Sequence, residues 1–314
     1  MTSSVLVRAE WERIAPLPEP NGGFMAGPIG DRIVVLGGTN WRDETKRWLD
    51  TVWVFEPASG KWTAAGRLPH PLAYAACTGD GQQLYLAGGA DGERGRREIY
   101  RVDEQLRIRR VAELSEPVVY AGAFLRGSRL LLVGGTPDPD DWGQVTSAVR
   151  AVDLATGESS VIARLPGLPA GVGIPAVASA GGRTIAVGGG WLKRADMQVH
   201  NVANAFLCEG TGDTWQPRSA YPRTVRGLAA VSLDERRIYV AGGYGTNPDE
   251  FLATGYLYDT LSDRFSPAMP VPLASLTSLV ACQDHIYALA GEDRAKHRSD
   301  ACWRIRISEL LSSD

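Results

Sequence analysis

Short apolar runs closed by a Gly-Gly pair punctuate the chain at near-regular intervals. They are IVVLGG ending at Gly38, LYLAGG at Gly89, LLLVGG at Gly135, IAVGGG at Gly190, IYVAGG at Gly243, and a weaker IYALAGE around Gly291. The first glycines stand at 37, 88, 134, 188 and 242, with Ala290 in the sixth copy, so the spacings are 51, 46, 54, 54 and 48 residues. Within one period the pattern is that of strands. GGFMAGPIG (22–30) and DRIVVLGG (31–38) read as two short β-rich runs around a Gly-Asp turn. The polar stretch TNWRDETKRWLD is expected to be a long loop. TVWVFEP (51–57) alternates as a third strand, SG makes a turn, and KWTAAGRLP supplies an outer strand that carries Trp62.

Each period therefore predicts one four-stranded antiparallel blade, and a strand-rich repeat of about 50 residues is the signature of a kelch-type propeller. Third strands recur near Tyr100, Arg150, Phe206, Tyr256 and Trp303, and outer-strand aromatics at Trp215 and Phe265. The sixth copy ends at CWRIRIS with no outer strand behind it. At the other end of the chain, AEWERIAPLP places Trp11 where Trp62 stands in the first blade. The expected fold is an all-β, six-bladed propeller filling residues 1–314 as one domain, with residues 8–18 completing the sixth blade and leaving no free sheet edge.

Composition narrows the function classes. A formal net charge of −3 argues against a broad nucleic-acid surface. The four cysteines, Cys77, Cys208, Cys282 and Cys302, show no metal-ligand spacing, and three lie in strand-like runs where Cys acts as a small apolar residue. No signal-peptide-like or membrane-spanning apolar run occurs, so a soluble cytoplasmic protein without membrane contact is expected. HExxH, paired-Cys, phosphate-loop and GxSxG patterns do not occur, and the four histidines are dispersed. The expectation is a site without metal or cofactor; oligomeric state is left open.

Function on such a scaffold belongs to the loops at one mouth of the central channel. One set precedes each innermost strand. Counting fourteen residues back from the first glycine aligns Tyr74, Tyr120, Leu228 and Leu276; two places earlier stand Leu72, Val118, Arg226 and Ala274. Arg226 is the charged exception, suited to gripping a carboxylate or to bonding loop carbonyls, and Arg223 competes for either role. The second set follows each Gly-Gly pair and brings Trp41, Trp48, Trp142 and Trp191 together with most loop-borne acids. Aromatic faces beside carboxylates and amides suit a sugar ring, although each tryptophan also serves as cover for a loop base. Candidate ligand-binding residues from these loops also include Asn21, Phe24, Asn40, Lys46, Tyr244, Glu250 and Glu292.

Residues 17–90 carry a more specific resemblance. Gly22, Gly23, Phe24, Ala26 and Gly27, then Gly37, Gly38 and Asn40, then Lys46 and Asp50, then Ala73, Tyr74 and Ala75 are similar to one blade of the kelch-type N-acetylneuraminate epimerases, in a cyclically permuted arrangement. The resemblance implies interconversion of sugar anomers through an open-chain keto form, with one group taking the anomeric hydroxyl proton and another protonating the ring oxygen. It aligns Glu44 with the family's loop glutamate and gives Arg226 the sugar carboxylate, with Glu250 and Glu292 as further acids. Leu72 stands where the family often has an arginine, which keeps other sugars or sugar acids open as ligand. Two alternatives stand beside a sialic-acid-like mutarotase: a kelch enzyme with lyase or cyclase chemistry, and a non-catalytic protein-interaction module. A concave, polar-edged mouth would favour an enzyme, and a flat apolar one the module.

Overall fold

The computed structural model describes residues 10–246 and 248–312. Six four-stranded antiparallel sheets follow one another along the chain. The first runs from the channel outward as Met25–Ile29, Arg32–Arg42, Thr45–Glu56 and Lys61–Arg67. The other innermost strands are Ala76–Gly79, Gly122–Arg126, Ala176–Ala180, Ala229–Ser232 and Leu276–Cys282. Neighbours in this order pack side by side, and the last of them packs against Met25–Ile29. In the sixth sheet the outermost strand is Glu12–Ile14, paired antiparallel with Cys302–Arg304. Trp11 donates its indole N–H to the Pro270 carbonyl at 2.9 Å and packs on Tyr239. Of residues 8–18, residues 8 and 9 lie outside the described residues.

The apolar rows of each strand are buried between blades. Six hydrophobic clusters each join two neighbouring sheets, for example Met25, Val34 and Leu36 with Leu84, Leu86 and Tyr100. The cluster between last and first sheets joins Val280, Tyr287 and Leu289 to Ile33, Val35 and Phe55. Trp62 covers Phe55 at 5.0 Å and bonds the Ala15 carbonyl at 3.0 Å. Cys208, Cys282 and Cys302 are buried and Cys77 is half-buried, all four with free thiols. Among the described residues no helix is long and apolar enough to cross a membrane.

The Gly-Gly pairs are where each blade meets the next. The second glycine's N–H donates to a carbonyl in the loop that enters the following blade: Gly38 to Leu72, Gly89 to Val118, Gly135 to Val172, Gly189 to Val225 and Gly243 to Ser275, all at 2.8–2.9 Å. In the sixth blade Gly291 donates to Asn21 of the first at 3.0 Å. Both glycines of the five full pairs have positive φ. A Cβ on Gly88 would lie 2.0 Å from the Val118 carbonyl oxygen, and one on Gly37 would lie 2.1 Å from that of Leu72. Here only glycine permits both the left-handed turn and the close approach.

One expectation is corrected. TNWRDETKRWLD is not a loop but the upper half of a long hairpin, in which Gly38 faces Leu49, Thr39 faces Trp48 and Trp41 faces Lys46. Asp43 and Glu44 form its two-residue turn with φ of 48° and 59°, the positive pair that matches strand twist. The polar composition hid two paired strands, buried near the glycines at Thr39, Asn40 and Leu49 and exposed toward the tip. The sixth blade extends in the same way through His285–Arg294 and His297–Arg306, and the fourth carries a separate hairpin, Gly190–Lys193 with Gln198–Asn201.

Because φ and space both forbid a side chain there, Gly88→Ala should destabilise the protein by about 2–4 kcal/mol. Urea unfolding checks this, and a midpoint unchanged from wild type would contradict the inter-blade role.

Candidate functional site

One step beyond each Gly-Gly pair, the chain entering a blade bridges to the chain leaving its second strand. The bridged pairs are Gly22 with Thr39, Ala73 with Ala90, Val119 with Thr136, Gly173 with Gly190, Arg226 with Tyr244 and Leu276 with Glu292. Arg226 is the one charged member of the first column and Glu292 of the second. The pairing shifts the sequence count by one in the fifth blade. Arg226 is equivalent to Ala73 and Val119 rather than to Leu72 and Val118. The turn at residues 233–237, between the paired Ser232 and Ile238, is one residue longer than residues 80–83 of the second blade.

The next residue along the entering chain lies left-handed in five blades: Gly23, Tyr74, Tyr120, Ile174 and Gly227, with φ between 54° and 66°. Their backbones form a necklace around the mouth, with Tyr74 N–H bonded to Gly23 O, Tyr120 to Tyr74, Ile174 to Tyr120 and Gly227 to Ile174 at 2.7–3.1 Å. A non-glycine residue in this region costs on the order of 1 kcal/mol or more, so holding two tyrosines and a β-branched residue there requires the surrounding bonds to impose it. The conformation turns Tyr74, Tyr120 and Ile174 into the mouth.

There they line a cavity of about 530 Å³. One wall is aromatic. Trp48 meets Tyr74 edge-on at 5.7 Å, Tyr74 lies 5.0 Å from Tyr120, and Tyr120 stacks on Trp142 at 5.3 Å. Trp142 opens a short helical turn whose Gly143 N–H is capped by the Asp141 carboxylate at 2.8 Å. The facing wall is charged, with Arg226, Tyr244, Asp249, Glu250, Glu292 and Arg294. Arg226 donates to Asn201 Oδ1 at 2.8 Å and its guanidinium lies over the Tyr244 ring at 4.6 Å. Burial lowers its pKa, which is the electrostatic cost of holding a cation there. Below the mouth, Tyr74, Ile174, Leu276 and Glu292 also border the central channel, a space of about 300 Å³ walled by Ala, Gly and Val. At that junction Glu292 pairs with Arg298 at 3.1 Å, and the Arg298 side chain is only 5% exposed. Burial pushes the Tyr120 hydroxyl well above the ordinary tyrosine range, assisted by nearby Tyr74, Asp140 and Glu292. Tyr120 is therefore a proton-bearing group at neutral pH.

Seven sequence-predicted residues converge on the cavity: Tyr74, Tyr120, Trp142, Arg226, Tyr244, Glu250 and Glu292. Phe24 borders the channel beneath. Lys46 stands behind the aromatic wall, its ammonium 4.6 Å from the Trp48 ring and 4.9 Å from Tyr74. The others lie elsewhere. Glu44 occupies the hairpin tip, 79% exposed and paired with Lys296 at 2.7 Å, so the extended hairpin carries it away from the cavity lining. Trp41, on the same hairpin, has the Lys296 ammonium 5.8 Å from its ring. Asn21 and Asn40 are buried and donate to the carbonyls of Gly37 and Pro20. Trp191 packs on the cluster between the third and fourth blades. Arg223 is spent on Glu250 at 2.8 Å and on the Pro248 carbonyl.

Sequence reasoning missed Ile174, Asn201, Asp249, Arg294 and Arg298. Asn201 faces Gly190 across its hairpin and Arg298 adjoins Ser299, which faces Gly291. Reading the post-Gly-Gly stretches as hairpins and pairing them back would have found both. Among the described residues no group of three or more His, Cys, Asp and Glu side chains is placed to hold a metal.

Comparison with known proteins agrees with this architecture. Residues 23–69 match the Kelch motif. An N-acetylneuraminate epimerase of Brucella melitensis is 31% identical over 117 residues, 29% of each chain. The alignment thus spans under a third of that relative's length. Kelch-like protein 21 of Danio rerio is 39% identical over 62 residues, covering 20% of this chain and 10% of that protein. The solved structure of YjhT superposes over 92% of this chain and 95% of its own with a TM-score of 0.74 at 13% identity, a likeness of fold. The chain is a kelch propeller that resembles the N-acetylneuraminate epimerases.

Placing the site on the aromatic wall and away from the hairpin tip has a direct consequence. For a sugar probe that enters this cavity, Trp142→Ala should weaken binding about tenfold through loss of a ring face, and Glu44→Gln should change it less than about twofold. Titration calorimetry reads both, and the reverse ranking would return the site to the hairpin.

Proposed function

We propose that the mouth binds a sugar acid and interconverts its anomers. The observation that carries this reading is Arg226, a half-buried guanidinium whose contacts are the neutral amide of Asn201 and the ring of Tyr244. Its neighbours Arg223 and Arg298 are matched by Glu250 and Glu292. A partly desolvated cation whose hydrogen bond and ring contact are both neutral, with the carboxylates of Asp249 and Glu292 acting on it only through space, supports an anion site. Opposite it, Tyr120 and Trp142 offer ring faces to the C–H side of a pyranose. The mouth is concave and polar-edged, as an enzyme requires and a flat docking surface does not.

In this reading Glu292 takes the role that the hairpin tip denies to Glu44. Its carboxylate accepts the anomeric hydroxyl proton as the bond between the anomeric carbon and the ring oxygen breaks, and that oxygen takes a proton from the Tyr120 hydroxyl. The open-chain keto acid turns about the bond to its carbonyl carbon, with its carboxylate kept on Arg226. Closure on the other face returns one proton to Tyr120 and the other from Glu292 to the new anomeric oxygen. Atoms and charges balance, and the chemistry calls for no metal or cofactor. Burial keeps the Tyr120 phenol protonated, so it enters the step as the proton donor. Arg298 holds the Glu292 carboxylate at the base of the mouth.

Glu292→Gln should slow anomer exchange of N-acetylneuraminate, read by NMR magnetisation transfer, by about a hundredfold or more with binding retained. Arg226→Ala should weaken binding about tenfold or more. A wild-type protein that does not accelerate exchange of this or any other sugar acid would overturn the reading, as would an unchanged rate in Glu292→Gln.

A further inference from the structure

The partner that holds Arg226 is itself informative. Asn201 is 8% exposed and ends the hairpin strand Gln198–Asn201, facing Gly190. Its Nδ2 donates to the Tyr244 carbonyl at 2.7 Å, while its Oδ1 accepts from Arg226 Nη1 at 2.8 Å. The two bonds settle the amide's orientation together, because a carbonyl can only accept and a guanidinium can only donate. Asn201 therefore spans from the residue that binds the anion to the backbone of Tyr244, whose ring lies against the same guanidinium. Arg226 also bridges Tyr244 through the backbone, so cation, ring and amide form one closed unit.

What distinguishes this holder from the others at the mouth is its charge. Arg223 and Arg298 are each positioned by a carboxylate, and their charges are spent. Asn201 supplies the same kind of directional acceptor with no charge of its own. An aspartate of the same shape would form an ion pair with Arg226 and cancel the charge a ligand anion needs. It would also set an oxygen against the Tyr244 carbonyl.

We propose that Asn201 is a specificity-determining residue of this site, positioning Arg226 with a neutral acceptor so that the mouth selects a carboxylate-bearing sugar over its uncharged counterpart. The inference rests on Arg226 being the carboxylate ligand, and it concerns discrimination between ligands rather than the chemical step.

The test compares two probes, N-acetylneuraminate and its methyl ester, by titration calorimetry on wild-type protein and on Asn201→Asp and Asn201→Ser. Wild type should prefer the acid. Asn201→Asp should lower affinity for the acid about tenfold or more and leave the ester within about twofold, so that the preference collapses. Asn201→Ser, which leaves Arg226 charged but unheld, should lower acid affinity about three- to tenfold, again with the ester unchanged. Equal losses for acid and ester in both variants, at unchanged melting temperature, would reduce Asn201 to a structural residue and overturn the inference. Unchanged acid affinity in Asn201→Asp would do the same. If Asn201→Asp does not fold, the acid-to-ester ratio of Asn201→Ser decides alone. A wild-type protein that binds the ester as well as the acid would instead remove the reading of Arg226 itself, and the inference with it.

Discussion

The whole molecule depends on one backbone contact made six times: an N–H at the end of a blade's second strand donating to a carbonyl in the loop that enters the next blade. Five of these donors are the second glycine of a pair, and the sixth, Gly291, reaches back to Asn21. The geometry requires a left-handed backbone at a point where a neighbouring carbonyl leaves no room for a Cβ. Because every contact of the set joins one blade to the next, the pairs fix both the rotation between sheets and the height at which the mouth begins. The buried clusters between blades supply most of the hydrophobic driving force, but they are non-directional, and the glycine bonds supply the register.

The site is a consequence of that register. Immediately above the glycines, six equivalent pairs ring the channel, and most are small or apolar. The exceptions, Arg226 with Tyr244 and Leu276 with Glu292, fall in neighbouring blades, while Tyr74 and Tyr120 are held in a strained backbone state by the necklace of bonds across the entering chains. The result is a charged wall facing an aromatic one. Charge balance then narrows the ligand. Glu250 and Glu292 pair with Arg223 and Arg298, Asp249 and Arg294 line the same wall, and Arg226 makes its hydrogen bond to a neutral amide.

Most of the fold was legible because its period is imposed by sterics: glycine at a forbidden conformation leaves an unambiguous mark, and strand alternation fills the rest. Trp11 could be matched to Trp62 for the same reason, since both cover an outer sheet face. The cavity lining was legible where it borders the glycine turns, as at Arg226, Tyr74, Tyr120 and Glu292, and where an aromatic or acid stood out in a loop, as at Trp142 and Glu250. Farther out, the polar stretches read as loops although four of them pair as antiparallel strands, and a long hairpin carries its tip away from the channel. That misplaced Glu44, now at an exposed turn beside Lys296, and concealed Arg298 and Asn201, whose positions follow from cross-strand pairing rather than from spacing along the chain. Asn21 and Asn40 lie off the cavity lining for a different reason. Buried amides near a mouth look like ligand donors in a sequence, but here they satisfy backbone carbonyls that the tight turns leave unpaired.

In the proposed reading, Arg226, hydrogen-bonded only to a neutral amide, receives a sugar carboxylate at this mouth. A crystal structure of the protein soaked with N-acetylneuraminate tests it most directly. The carboxylate should lie within hydrogen-bond distance of the Arg226 guanidinium and the pyranose against Tyr120 and Trp142, with Glu292 at the anomeric hydroxyl. A sugar bound with its carboxylate turned to solvent, or seated against the hairpin around Glu44, would contradict it.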